Sequence, residues 1–459
     1  MSYRVRVASV YLLGFFIDLV NMFIANVAYP EIGRQFNAPI TQLAWISNGY
    51  ILGLTLVIPL SGWLVRRMGA KRLFRLSLLI FMAGTLGVGA SASVTQLITW
   101  RWIQGIGGGL IIPVGQTMTY ALYRNNERAK LSSVVMLIAL LAPALSPAVG
   151  GILVENLSWR WVFLMSLPLT VGALVLAGCW LKADNPANAS EPLDLAGLIS
   201  GCAALTLILM GLTWMGDADG VYLGALMLLA GIITLAGYVW DALRKNQPLI
   251  NLHLVKDPLL QTAMLIYQFI PGVFTGISML TMLYLQNQLG MHASFVGALM
   301  LPWSLASFAA ISLAGKKFNQ WGPRPLFITG CLVQALGIGM LALTDQTGDS
   351  IICLLAFALM GFGGSLCSST AQSSAFIHIS DNELADASAL WNMNRQLSFC
   401  LGVTLVSLLF NLIADTGIAT EHTYHLCFVI AACSAVIPVL CCLRIPNQKV
   451  ISLLNREQK

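Results

Sequence analysis

Apolar runs of about 20 residues, each closed by a short polar loop, recur along almost the whole chain, a rhythm that predicts helices crossing a hydrocarbon core of ~30 Å. About fourteen such runs are visible, starting near Val7, Ile40, Leu73, Val94, Leu131, Arg160, Leu195, Gly220, Leu259, Ala293, Leu326, Ser350, Asp386 and Tyr424. One loop occurs twice. GWLVRRMGAKRLF from Gly62 returns at Gly315 as GKKFNQWGPRPLF, with both glycines, a basic position and the closing Leu-Phe in register. A second echo pairs QGIGGGLIIPVGQ from Gln104 with MGFGGSLCSSTAQ from Met360. A duplicated loop implies a duplicated half, and a duplicated bundle of membrane helices places its binding site between the halves.

The expected fold class is therefore an all-α integral membrane protein with two six-helix halves and two additional helices. The segment KADNPANASEPLD, Lys182 to Asp194, has the composition of a linker. It divides a first bundle (residues 1–181) from the linker and two extra spans (182–258), a second bundle (259–443) and a basic tail (444–459).

Composition supports the membrane: 57% of residues are hydrophobic and 10% charged, against roughly 45–50% and about 25% in soluble domains. The net charge of +6 does not point to nucleic acid, because the basic residues alternate with the loops instead of gathering on one patch. Arg4, Arg66, Arg67, Lys71, Arg72, Arg124, Arg128, Lys316, Lys317 and Arg324 fall on one predicted side, with Arg34 and Arg160 opposite. The positive-inside rule makes that side cytoplasmic, with both termini there. The acidic stretch SDNELAD, Ser380 to Asp386, carries no weight in this rule. No cleavage site follows the first run, which reads as a retained helix. The ten cysteines all sit in predicted spans, so packing is expected rather than a disulfide framework. The NAS at Asn188 falls on the cytoplasmic side and reads as chance.

Few polar residues interrupt the runs, and these are the candidates for chemistry. Asp18 falls near mid-bilayer in the first run, where a charge costs roughly 2.5–3.5 kcal/mol and usually works for its place. A carboxyl there can carry a proton or be a structural acid. Helical spacing gives Asn21 and Met22 the same face, with Asn26 two turns on. Arg101 lies inside the fourth run and cannot lose its charge, so it needs a partner, water or an anionic substrate. Gln104 follows it, then Gly105, Gly107, Gly108 and Gly109, which permit close helix approach. Pro143, Pro147, Gly150 and Gly151 mark the fifth run as kinked, either a hinge or a tight contact. The thirteenth run carries Asn392, Asn394, Arg395 and Gln396, with Arg395 near enough to one face to snorkel. Gln116, Gln268, Gln286, Asn287 and Gln372 are further candidates for a cavity or for helix bridging. His422 and His425 offer too few ligands for a metal. There is no phosphate loop, no HExxH and no nucleophile elbow, so neither an enzyme nor a cofactor or metal is expected.

Together GWLVRRMGAKR, RWIQGIGGG, PALSPAVGG, WRWVFLMSLP and NVAYP resemble the fourteen-span drug:proton antiporter branch of the major facilitator superfamily, over the whole length. The resemblance implies halves that rock about a central site, a cavity lined by spans 1, 4, 9 and 12, and exchange of a proton for an exported compound. It makes Gly62, Arg66, Gly69 and Arg72, and Pro143, Ser146, Pro147, Gly150 and Gly151, conformational motifs. Three positions depart from the family pattern. Asn21 stands where an acid is usual, one turn after Asp18. Arg66 replaces the inner-loop acid, so the charge latch between halves is expected to be absent or rebuilt. Ser146 replaces a glycine, which should loosen a close contact.

The expected function is a proton-coupled exporter of small amphipathic compounds in the bacterial inner membrane, with Asp18 as proton carrier. Its substrate cavity would draw on Asn21, Met22, Asn26, Arg101, Gln104, Gln116, Gln268, Gln372, Asn392 and Arg395. Two arginines against one clear acid keep export of an anionic metabolite, a carboxylate or iron chelate, as the alternative; a non-transporting sensor is a second. The expected partners are a small-molecule substrate, protons and the bilayer, with the protein a monomer.

Overall fold

Gly69 and Gly322, the second glycines of the repeated loop, both take positive φ, 81° and 74°, a conformation nearly closed to residues with a Cβ. Each ends one helix and begins the next, so the sequence repeat is a structural one. The computed structural model describes residues 2–38, 40–182, 193–215, 220–245, 248–291, 301–344, 350–414 and 416–456. Every regular element among them is helical. The linker core with Asn188, and the tenth run's expected start at Ala293, lie outside the described residues.

The first half holds α1 (Tyr3–Phe36), α2 (Ile40–Val57), which continues through a tight turn into α3 (Ser61–Met68), α4 (Ala70–Gly89), α5 (Val94–Tyr120), α6 (Asn125–Asn156), and the consecutive α7 (Trp159–Leu164) and α8 (Ser166–Trp180). A hairpin follows, α9 (Leu195–Met215) and α10 (Val221–Arg244). The second half holds α11 (Pro258–Tyr267), α12 (Val273–Leu283), α13 (Leu301–Trp321), α14 (Pro323–Leu341), α15 (Ser350–Ser374), α16 (Leu384–Ala414), α17 (Thr420–Ser434) and α18 (Val436–Cys442). The expected tail contains a short helix, α19 (Asn447–Arg456). Local chemistry sets several starts: Ser93 accepts the Gln96 N–H at 3.2 Å, and Asp257 accepts those of Leu259 and Leu260 at 3.1 and 2.9 Å, as N-caps do.

Among the described residues, eleven helical stretches are long and apolar enough to cross a membrane, fewer than the fourteen expected. Outside that set are α5, α6 and α13, with 27, 32 and 21 residues. The polar side chains that dilute α5, Arg101, Gln104 and Gln116, are all buried in the protein. Its glycines were expected to allow close approach, and they do. A Cβ on Gly105 or Gly109 would strike the carbonyl of Tyr50 or Leu54 on α2, and one on Gly107 would strike the backbone of Phe81 on α4.

The hairpin touches both halves: Cys202 Sγ donates to Leu56 O and Thr404 Oγ1 to Leu212 O, each at 3.4 Å. The first glycines of the repeated loop sit where the halves meet. Gly62 faces the Asp386 carboxylate on α16, and Gly315 on α13 faces Ser133 on α6.

Candidate functional site

A polar network fills the middle of the first half. Tyr50 on α2 donates its hydroxyl to Asp18 Oδ1 on α1. The Arg101 guanidinium of α5 lies over the Tyr50 ring, 4.2 Å from its centroid, so carboxylate, phenol and guanidinium form a row. Arg101 also donates to Ile46 O (3.2 Å), Asn21 O (3.4 Å) and Gln104 Oε1 (2.7 Å). Gln104 Nε2 in turn donates to Asn21 Oδ1 at 3.0 Å and Thr85 Oγ1 at 2.7 Å. A buried charge without such partners would cost several kcal/mol, and here Arg101 has three acceptors. Asp18 is 1% exposed, and Asn21, Arg101 and Gln104 are 0%. Asn21, Arg101 and Gln104 are bonded to one another and Asp18 to Tyr50, while Met22 is half-buried. The side chain of Asn26 lies outside the described residues, as do those of Gln286 and Asn287.

A second network lies between the halves. Asn392 Nδ2 on α16 donates to Gln116 Oε1 on α5 at 2.9 Å. Gln372 on α15 donates to Tyr120 Oη at 3.2 Å and accepts Trp391 Nε1 at 2.7 Å. Within the second half, Gln268 donates to Asn394 Oδ1 at 2.9 Å, from a π-helical turn, Gln268–Gly272, that contains Pro271. Such turns leave backbone groups free and mark functional sites; here Gln334 Nε2 donates to Ile270 O at 2.9 Å.

Arg395 differs from its neighbours. It was expected near enough to a face to snorkel, but it is 7% exposed, with its guanidinium carbon 5.6 Å from the centroid of Phe15 on α1. Its Nε is buried without a hydrogen-bond partner among the described residues. Phe15 lies one turn before Asp18 on α1, which brings Arg395 close to that carboxyl across the interface.

Toward the end of the molecule that carries Arg66 and Arg128, further bonds join the halves. Arg66 meets Asp386 at 2.8 Å. Arg128 donates to Phe376 O at 2.6 Å and approaches Asp381 at 3.5 Å. Asn319 donates to Asn126 O at 2.6 Å. The charge latch that Arg66 put in question is thus rebuilt with the acid on the other half, supplied by the SDNELAD stretch. Arg72 is exposed.

The fifth-run motif is less uniform than expected. Ser146 is 1% exposed and donates to Ala142 O at 2.6 Å, so the extra hydroxyl is accommodated within its own helix. Gly150 is buried. A Cβ on Gly151 would meet nothing within 4 Å, so no close contact explains that glycine. The side chains of Pro143 and Pro147 lie outside the described residues. His425 is occupied by Tyr284 Oη at 3.0 Å and Thr344 O at 3.3 Å, and no cluster able to hold a metal occurs among the described residues.

Sequence reasoning missed Tyr50, Tyr120, Asp381 and Asp386. The tyrosines count as apolar in a run, and the acids sit in a loop that topology rules ignore.

Residues 11–403 match the family model described as Major Facilitator Superfamily. Proteins named "Putative multidrug resistance protein MdtD" from Yersinia pestis (strain Pestoides F) and Yersinia pseudotuberculosis serotype O:1b (strain IP 31758) are 28% identical over 442 residues, 94% of either chain. The fold is similar to that of the human organic anion transporter MFSD10, with TM-score 0.69 and 14% identity over 96% of this chain and 100% of that one. It is also similar to the proton:xylose symporter XylE, with TM-score 0.68 and 15% identity over 100% and 99%.

Proposed function

From the premise that this chain belongs to the Major Facilitator Superfamily, and so is a multi-pass membrane transporter, we propose that it is a proton-coupled exporter of small amphipathic compounds. The relatives' multidrug name over nearly the full length supports that substrate class. With α5, α6 and α13, each 21 residues or longer, counted as spans beside the eleven, the chain has fourteen. The end bearing Arg66 and Arg128 then faces the cytoplasm of a bacterial inner membrane, and its interhalf bonds describe a state closed on that side.

One observation carries the coupling: Asp18 is held by Tyr50 within the first half, and Arg395 of the second half packs on Phe15, one turn before Asp18 on α1. Coulomb interaction falls with separation and with access of water. Rocking of the halves therefore changes the cost of a charge on Asp18, which is what alternating proton uptake and release require. The burial of Asp18 in this conformation is compatible with that role only if the opposite state wets it. Asp18→Asn should abolish gradient-driven efflux from membrane vesicles while substrate still binds. Efflux at the wild-type rate would remove Asp18 from the mechanism.

Arg395 favours a second reading. A buried guanidinium at the interface of the halves, its Nε unpaired among the described residues, suits a carboxylate or other anion, which bidentate bonding recognises. Competition between a quaternary ammonium dye and a citrate-like anion separates the two substrate classes. Binding of either without accumulation would instead indicate a sensor.

A further inference from the structure

Lys71 and Arg324 occupy the same place in the two halves, nine residues after Gly62 and Gly315. Lys71 is satisfied: Nζ donates to Gly178 O at 3.2 Å and to Leu181 O, a cation closing the C-terminal end of α8 as helix ends favour. In the second half the corresponding helix is α18, and its last carbonyls are taken by the chain itself. The N–H groups of Leu443, Arg444 and Ile445 donate to Leu440 O, Cys441 O and Cys442 O. Arg324 uses its backbone N–H, which donates to Asn447 Oδ1 at 3.1 Å, while Asn447 Nδ2 donates to Trp321 O at 2.8 Å. Asn447 thus clamps α19 across the α13–α14 turn. No hydrogen bond among the described residues engages the Arg324 guanidinium or the Lys449 ammonium.

Both residues line a cleft of about 610 Å³ between the start of α14 and the α18–α19 turn, whose apolar wall includes Ile328, Ile445 and Pro446. Ile328 opens a stripe on one face of α14: Leu332 and Leu336, one and two turns on, are 56% and 59% exposed. Leu440 and Leu443 on the neighbouring segment are 57% and 48% exposed. On spanning helices such a surface meets acyl chains. The cleft therefore has two cations without a hydrogen-bond partner among the described residues at its polar end and an acyl-facing stripe at the other.

We propose that this cleft binds an anionic phospholipid, its headgroup phosphate against Arg324 and Lys449 and one acyl chain along Ile328, Leu332 and Leu336. Basic pockets at the membrane interface favour such headgroups over zwitterionic ones, whose own cation offsets the attraction. Free phosphate shares the headgroup chemistry but leaves the apolar wall uncovered. Since α19 also packs on α6 of the first half, the lipid would rest against a helix that touches both halves.

The test is lipid titration of the full-length protein in detergent, with bound lipid counted by native mass spectrometry. Phosphatidylglycerol affinity should fall about fivefold in Arg324→Gln and about twentyfold in Arg324→Gln/Lys449→Gln, with phosphatidylcholine retention unchanged. Arg324→Lys keeps the charge and should retain most of the binding, which separates lost recognition from lost fold. Unchanged phosphatidylglycerol binding in the double variant, or equal loss of both lipids, overturns the proposal. Displacement of phosphatidylglycerol by excess inorganic phosphate would overturn the lipid assignment in favour of a free-anion site.

Discussion

Arg66 on α3 and Asp386 on the first turn of α16 stand 2.8 Å apart and bind one half of the molecule to the other. Their side chains are 22% and 12% exposed, between the rim pairs worth ~1 kcal/mol or less and the buried pairs whose breakage costs 3–5 kcal/mol. Arg66→Gln should therefore shift the closed-to-open ratio at this end about tenfold, ~1.4 kcal/mol. Double electron–electron resonance between spin labels on α3 and α16 reads that ratio. The exchanged pair Arg66→Asp/Asp386→Arg should recover only part of it. An acid suits the N-terminal end of α16 and a base does not.

The glycines separate two kinds of motif. A Cβ on Gly108 would collide with Asp18 Oδ1 and fall 2.7 Å from Tyr50 Oη, whereas Gly151 has open space. Gly108→Ala should destabilise the protein by about 1–3 kcal/mol through overpacking and disturb the Asp18–Tyr50 contact. Gly151→Ala should be neutral or stabilising by about 0.5–1 kcal/mol, since a helical glycine costs that much against alanine. Thermal unfolding in detergent gives the order; equal losses for the two would contradict it.

Much of this was legible in the chain because the membrane makes polar residues expensive. Asp18, Arg101 and Gln104 stand out against apolar runs, and the structure brings Arg101, Gln104 and Asn21 into one network. Helix starts at Ile40, Val94, Leu195 and Ser350 coincide with the runs, since apolarity and helix length are coupled in lipid. Pairing was not legible. Gln116 is a plain polar candidate in sequence, and only the docking of α16 against α5 shows that its partner is Asn392. Asp386 carries no topological signal, yet it anchors the latch. The π turn at Gln268–Gly272 has no periodicity of its own to reveal it.

His378 and Asp257 meet at 2.7 Å, tying the loop after α15 to the N-cap of α11. The bond to Asp257 raises the imidazole above its ordinary range. Burial pushes Asp257 up, but His378 and the N–H groups of Leu260 and Leu259 outweigh it and hold the carboxyl below its usual value. A raised histidine stabilises fully below its unfolded pKa, ~6.5, and loses that contribution as pH rises through the folded value. The lowered aspartate contributes above its unfolded pKa, ~3.9, and loses that as pH falls through its folded value. The melting-temperature gap between wild type and His378→Ala should therefore be widest near pH 5.5 and narrow toward about pH 9. A gap that widens with rising pH would mean the pair is not the source.

The anion reading proposed above rests on Arg395. Its guanidinium faces Phe15 across the interface of the halves, with Nε unbonded among the described residues, so a bound carboxylate would supply a partner for it, whereas a lipophilic cation would gain nothing from it. Arg395→Ala should weaken a carboxylate competitor about tenfold, the scale of a charge-assisted hydrogen bond, and leave a quaternary ammonium dye within about twofold of wild type. Arg395→Lys should fall between, because an ammonium keeps the charge but not the planar fork. Transport-coupled pH change in proteoliposomes measures both substrates in one preparation. If the alanine variant loses the dye and the anion alike, Arg395 holds the halves in register and reads no charge; if it loses neither, the anion reading fails.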